Sequence, residues 1–183
     1  MFADDTSRGA DGKGGRRATL ESERLLLRPL AVDDAAHFTA LFAGDWDAVK
    51  QTGRMPYPPT ETAMRRWIAG HIGAHSHAFL LIRKEDGAVL GSGGFGGSAR
   101  AAELGYGLGR AYWGRGYATE AVGAMLDHAR LLGLRRLEAY SFLDNGASAR
   151  VLEKAGFAHL GVVTRNYPAR GGRREVRHYQ KKL

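Results

Sequence analysis

The chain contains no cysteine among its 183 residues. Disulfides, thiolate nucleophiles and thiolate metal sites are thereby excluded, and a cytoplasmic location is expected. Long apolar runs are missing as well. None approaches the roughly 20 residues a membrane-spanning helix needs, and Met1 to Leu20 lack the apolar stretch of a secretory signal. Proline is sparse, with three of five residues crowded into the stiff connector Met55-Pro56-Tyr57-Pro58-Pro59. Acidic residues are outnumbered: Lys+Arg 27 against Asp+Glu 19 leaves a net charge of +8. What is present suits a folded domain, because 44% of the residues are apolar and the length can bury a core without staples.

The charge excess is uneven. Residues 165–183 hold Arg165, Arg170, Arg173, Arg174, Arg177, Lys181 and Lys182 against Glu175 alone, a surplus of +6. A basic patch attracts nucleic acid, an anionic surface or an acidic small molecule, and its sign does not choose between them; a solvated charged hairpin is the plainer alternative. Residues 1–18 carry Gly9, Gly12, Gly14 and Gly15 with no apolar periodicity, so a disordered leader is expected ahead of one domain over residues 19–183. Glycine is dense again from Gly91 to Gly116, at ten of 26 residues, but apolar side chains interleave with it. Backbone there is expected to approach a ligand or another strand closely.

Element signals follow in order. Arg24 to Leu30 reads as a strand ended near Pro29. Asp33 and Asp34 open a helix with Ala36, Phe38, Leu41 and Phe42 as apolar positions and Gly44 as its stop. Thr60 is a candidate cap for a helix from Glu61 to Gly73. Ala78–Arg83 and Ala88–Gly93 flank Glu85-Asp86-Gly87 as a hairpin, and a third strand is expected over Ala102–Leu108. Ala118, Ala121, Val122, Met125, Ala129 and Leu132 share one helical face, with Gly133 to end it. A strand over Arg136–Phe142, a helix over Asn145–Ala155 and a strand pair over Phe157–Val163 and Glu175–Lys182 complete a mixed α/β order.

The stretch from Gly105 to Glu120 joins a strand to the most strongly patterned helix. Glycines let an anion touch backbone, and the free N–H groups and dipole of a helix N-terminus favour negative charge. Arg115 adds a cation there. Without Gly-Lys-Ser/Thr this is not a nucleoside-triphosphatase loop, and its glycine spacing is not that of a dinucleotide fingerprint.

Three ordered motifs carry a resemblance. They are Ala102-Glu103-Leu104-Gly105-Tyr106-Gly107-Leu108; Tyr112-Trp113-Gly114-Arg115-Gly116-Tyr117-Ala118-Thr119-Glu120-Ala121; and Asn145-Gly146-Ala147-Ser148 running on to Val151-Leu152-Glu153-Lys154-Ala155-Gly156-Phe157. Over about residues 20–183 the chain resembles the GNAT superfamily of N-acyltransferases, within it the ribosomal-protein N-terminal acetyltransferase branch. That resemblance implies a mixed, mostly antiparallel twisted sheet of about six to seven strands, splayed at its centre, with about four helices on its two faces. It implies acetyl-CoA in the splay as co-substrate. Tyr106, Gly107 and Leu108 would then bind the pantetheine through backbone, Gly114, Arg115, Gly116, Tyr117, Ala118 and Thr119 would cradle the pyrophosphate, and Asn145 and Ser148 would contact the pantetheine arm. Trp113 stands where the wider family has Gln or Arg. Leu152 stands where many relatives have a tyrosine that protonates the leaving thiolate.

Amide formation requires an acceptor amine that has lost its proton, and amines of pKa about 8–10.4 are mostly charged at neutral pH. Glu103, at the start of the strand entering the glycine turn, is the candidate base, with a solvated strand-end carboxylate as its plainer reading. Glu120 is expected to serve the helix dipole, and a backbone N–H near Leu108 to meet the developing oxyanion. Ser148 is the candidate acid and Tyr140 the reserve, the alternative for Ser148 being a hydroxyl bonded to its own helix. Without cysteine, direct transfer in a ternary complex is expected. His71 and His75 at i, i+4 make no metal site, since further ligands are missing. Trp46, Tyr57 and Trp67 either wall the acceptor or pack in the core. The expected function is acetyl transfer from acetyl-CoA to a primary amine, on a protein N-terminus (a ribosomal protein's among them) or a small molecule. A non-catalytic acyl-CoA sensor and a nucleic-acid module using the basic tail are the alternatives. Membrane binding is not expected, and a homodimer is open.

Overall fold

The computed structural model describes residues 18–73, 76–98 and 101–183. The leader expected over residues 1–18 lies outside them except for its last residue, as does His75.

The sheet has eight strands: β1 (Leu20–Glu21), β2 (Leu25–Pro29), β3 (Ser76–Arg83), β4 (Val89–Ser98), β5 (Ala101–Leu108), β6 (Arg136–Phe142), β7 (Ala158–Tyr167) and β8 (Gly172–Lys182). Their spatial order is β1-β2-β3-β4-β5-β6-β8-β7. All neighbours run antiparallel except β5 and β6. Five helices cover it: α1 (Ala35–Phe42), α2 (Trp46–Lys50), α3 (Glu61–Ala69), α4 (Tyr117–Leu131) and α5 (Gly146–Lys154).

The periodic side chains decide which face each helix covers. On one face Ala121, Val122, Met125 and Ala129 of α4, with Ala149 and Leu152 of α5, pack against Leu25, Leu27, Leu104, Leu137 and Ala139. On the other, Phe38 and Phe42 of α1, Val49 of α2, and Met64 and Ile68 of α3 pack against Leu80. The glycines of β4 admit this packing: a Cβ on Gly93 would stand 2.9 Å from Met125 Cε. Caps behave as their residue types dictate, with the Thr60 hydroxyl accepting from the Ala63 N–H at 3.3 Å and the Asn145 amide oxygen from the Ser148 N–H at 2.9 Å.

Several boundaries differ from expectation for local reasons. Strand β1 has only two residues and α2 only five, both too short for a periodic signal. Strand β4 runs on to Ser98 because β3 and β5 pair with it on both sides, overriding the weak strand propensity of glycine. Helix α3 stops at Ala69, where the Gly70 N–H closes the last turn onto Arg66, so His71 lies beyond the helix. A single 3-10 turn over Val32–Asp34 precedes α1, and Ala35 rather than Ala36 faces the core. Leu132 falls past the end of α4 and is 44% exposed. Both strands of the β7–β8 hairpin run further toward the turn than expected, and the turn holds a 3-10 segment over Pro168–Arg170.

Candidate active site

The parallel pairing of β5 with β6 covers only Ala102↔Leu137, Glu103↔Glu138 and Leu104↔Ala139. Beyond it the strands part, while β5 stays paired to β4 as far as Leu108 and β6 to β8 as far as Phe142. Backbone from Gly105 to Leu108 is therefore unpaired on its β6 side, and a cavity of about 1060 Å³ fills the opening. That lies at the top of the roughly 300–1,000 Å³ range of small-molecule pockets.

At one end lies the glycine cradle. Gly114 and Gly116 have φ of +71° and +82°, a conformation only glycine adopts without strain. Gly116 caps α4 without any side-chain oxygen, and Gly116 to Thr119 line the cavity, so the positive end of the helix dipole lies at its wall. The cradle is fastened from outside. Arg24 stacks over Tyr117 at 4.6 Å, donates to the Arg115 carbonyl at 3.1 Å and pairs with Glu120 at 2.7 Å. Glu120 also accepts from the Ser22 hydroxyl and the Arg24 N–H, each at 2.7 Å. Burial raises its pKa, but these hydrogen bonds outweigh that and hold it below the usual carboxylate range. Trp113 donates its indole N–H to the Leu108 carbonyl at 2.8 Å, tying the cradle to the end of β5. These residues can hold a pyrophosphate and an extended pantetheine arm along the unpaired edge of β5.

In the throat, Ser148 on α5 meets a partner that its sequence position does not suggest. The Tyr106 hydroxyl lies 3.0 Å from Ser148 Oγ and 3.2 Å from the Ser148 carbonyl. Burial pushes the Tyr106 phenol up to about 12, so it stays a hydroxyl donor at neutral pH. Tyr106 was expected to contribute backbone; its side chain reaches α5 as well.

Glu103 stands on the opposite face of β5, at the mouth of the splay. Arg165 of β7 pairs with its Oε2 at 2.9 Å and Arg54 approaches its Oε1 at 3.6 Å. Tyr140, across the splay, donates its hydroxyl to Glu138 at 2.9 Å and lies under the Arg165 guanidinium at 3.8 Å. Burial first, then the bond to Glu138, pushes Tyr140 up to about 12. Trp67 lines the cavity, whereas Trp46 and Tyr57 pack on each other at 5.0 Å and stay more than 40% exposed outside it. No group of three or more His, Asp or Glu residues that could hold a metal occurs among the described residues.

Sequence reasoning passed over the loop of residues 49–55 and what holds it. Thr52 covers Gly107, where a Cβ would come within 2.9 Å of its methyl, and the Tyr167 ring covers Gly53, where a Cβ would come within 2.5 Å. Arg170, only 7% exposed, donates to the carbonyls of Val49, Lys50 and Met55 and to Thr52 Oγ1. Burial lowers its pKa, and each oxygen it meets is a carbonyl or a hydroxyl. The signal available was an arginine beside Pro168 in a turn, which says nothing of partners 115 to 121 residues away.

Residues 24–158 match the family described as Acetyltransferase (GNAT) domain. An uncharacterized N-acetyltransferase of Bacillus licheniformis, p20, is 32% identical over 164 residues, 85% of this chain and 90% of that protein. Among solved structures, Mycobacterium smegmatis RimJ in complex with CoA-disulfide shares the fold at a TM-score of 0.79 with 24% identity, over 91% of this chain and 88% of the other. A ribosomal-protein-S5-alanine acetyltransferase of Vibrio fischeri does so at a TM-score of 0.75 with 19% identity, over 90% and 96% of the two chains. With the splayed sheet and the glycine cradle, these matches identify the chain as a member of the GNAT acetyltransferase family, an N-acyltransferase that uses acetyl-CoA.

Proposed function

We propose that the protein transfers acetyl from acetyl-CoA to a primary amine by direct attack in a ternary complex, and that the amine is the N-terminus of a polypeptide. The observation that carries this reading is the splay itself, with Glu103 facing one side of the opening and the Tyr106–Ser148 pair the other. Bound acetyl-CoA supplies the thioester. Backbone from Tyr106 to Leu108 aligns the pantetheine arm, with Asn145 beside it, and Gly114 to Thr119 neutralise the pyrophosphate through N–H groups and Arg115.

Glu103 takes the proton that the acceptor's ammonium sheds, directly or through a water, a role worth about 10²–10⁴-fold. Ser148 donates a hydrogen bond to the sulfur as the carbon–sulfur bond opens, and the second amine proton passes to the departing thiolate, which leaves as the free thiol. The single Tyr106 proton can go to the Ser148 carbonyl at 3.2 Å or to Ser148 Oγ at 3.0 Å, and when it goes to Oγ the serine proton is free to point at the sulfur. Ser148 is favoured over Tyr140 because the Tyr140 proton is committed to Glu138. A polypeptide acceptor is supported by the likeness to an acetyltransferase of ribosomal protein S5.

The test is free-thiol release from acetyl-CoA over a panel of alanyl and seryl peptides, free amino acids and polyamines. Peptides should be turned over, with intersecting initial-velocity lines. Parallel lines would exclude the ternary complex. Absence of turnover with every amine, despite a melting-temperature rise with acetyl-CoA, would favour a sensor instead.

A further inference from the structure

The surplus of positive charge at the C-terminal end has no part in the chemistry above, yet the fold gives it a definite place. Residues of β5 and β6 alternate between faces. Leu104, Tyr106 and Ala139 turn to α4 and α5 on the cofactor side, and Glu103, Glu138 and Tyr140 turn the other way. Arg165 lies on this second face, paired to Glu103 and stacked on Tyr140, and Arg174 is its cross-strand partner. Arg170 fastens the same hairpin to the loop of residues 49–55, from which Arg54 extends, 59% exposed, over Glu103. Arg165 and Arg54 therefore flank Glu103 at the opening, with Arg174 across the strand from Arg165, on the face opposite Tyr106 and α4.

Positive charge there exceeds what the neighbouring acids offset. Glu103 is shared by Arg54 and Arg165. Glu138 is engaged by Tyr140, by His178 and, at 4.0 Å, by Arg136. Arg170 meets neutral oxygens and Arg174 donates to the Arg170 carbonyl. Arg165 also keeps a buried Nη1 without a partner. An acceptor amine arrives with positive charge of its own, so this field admits it only if negative charge travels alongside.

We infer that the β7–β8 hairpin and Arg54 form a carboxylate-reading subsite, and that the acceptor bears carboxylates close to its amine: an acidic polypeptide N-terminus. The inference rests on the acyl-transfer reading only for where the amine points, and binding tests it separately. Two alanyl peptides labelled at their C-termini, one with Asp and Glu at the second and third positions and one with Lys and Arg, are titrated against protein saturated with coenzyme A, by fluorescence anisotropy. The acidic peptide should bind at least about tenfold more tightly at low salt, and the ratio should shrink as salt shortens the Debye length. In an Arg54→Gln/Arg174→Gln double variant the ratio should fall to within about threefold. Because a ratio is read, any loss common to both peptides cancels.

Equal affinities, or preference for the basic peptide, overturn the inference. Tight binding of a ribo-oligonucleotide that leaves the two peptides undiscriminated overturns it too, and assigns the hairpin to RNA. Preference for free glutamate over both peptides keeps carboxylate recognition and moves its source to a small molecule. A binding preference without thiol release leaves this subsite standing and sinks the catalytic reading.

Discussion

Replacing Arg170 by methionine keeps the aliphatic stem and removes the guanidinium, and the structure allows the cost to be worked out oxygen by oxygen. The Val49 carbonyl survives the change, since it also accepts from the Thr52 N–H at 3.0 Å and the Thr52 hydroxyl at 2.9 Å. The Lys50 and Met55 carbonyls lose the guanidinium donor at 3.3 Å and 3.0 Å. An unpaired buried acceptor costs about 1–3 kcal/mol; the Met55 carbonyl bears that in full and the part-buried Lys50 carbonyl only in part, roughly 2–5 kcal/mol together. Against this stands relief from burying a cation that no carboxylate accompanies. The balance is a destabilisation of about 2–4 kcal/mol, and for a domain of this size that lowers the melting temperature by roughly 5–15 °C. Arg170→Lys keeps the charge with one nitrogen instead of three and should fall between. Circular-dichroism melts give the size of the effect, and amide exchange gives its location, because protection should be lost first in residues 49–55. Tyr167 holds that loop through Gly53 as well, so the loop should loosen without being released. A methionine variant melting within about 1 °C of the parent, or one that loses protection evenly across the sheet, would refute this account of the buried arginine.

Glu120→Gln should destabilise the protein at neutral pH through the lost ion pair with Arg24. Because the folded-state pKa is lowered, that contribution is present above about 4.3 and disappears as pH falls through the folded value. The two melting curves should converge in acid, and a gap unchanged down to pH 3 would contradict the pairing. Gly116→Val should abolish the thermal shift with acetyl-CoA, since valine cannot hold a φ of +82° without strain and would crowd the cradle; an unaltered shift would refute the placement of the pyrophosphate. Tyr106→Phe and Ser148→Ala should each lower kcat with little change in KM for acetyl-CoA. Their double variant should lose no more than the worse single one, whereas multiplicative losses would separate the two hydroxyls functionally. Glu103→Gln should depress turnover most below neutrality, where amines are fully charged, and a pH profile parallel to the parent's would remove Glu103 from proton transfer.

What could be read in advance follows from how local each determinant is. Helix α4 declares itself because Ala121, Val122, Met125 and Ala129 recur on one face and Gly116 and Gly133 bracket it. The cap of Thr60 and that of Asn145 are equally local, each acting on a residue three positions along. The splay has no such signature. It consists of hydrogen bonds that β5 and β6 do not make, between strands separated by the whole of α4. Only the resemblance, carried by motifs, could anticipate it. The Tyr106–Ser148 contact spans 42 positions and the Arg170 bonds more than a hundred, so no window along the chain contains both partners.

The basic tail shows most directly what folding adds. Seven basic residues near the C-terminus have one meaning as composition, and their sign suits phosphate, nucleic acid and carboxylate alike. Strand alternation gives that charge a face, which composition does not. Arg165 and Arg174 occupy cross-strand positions on one face of the hairpin, and β8 hangs on β6 with Tyr140 opposite His178. The face that receives them is the one bearing Glu103, not the one bearing Tyr106 and α4. Shifting β7 by a single residue would turn Arg165 toward the opposite face, parting it from Glu103 and leaving Arg54 as the remaining partner of that carboxylate. The register of an edge hairpin thus fixes the Arg165–Glu103 pair, the contact on which the proposed acceptor subsite rests.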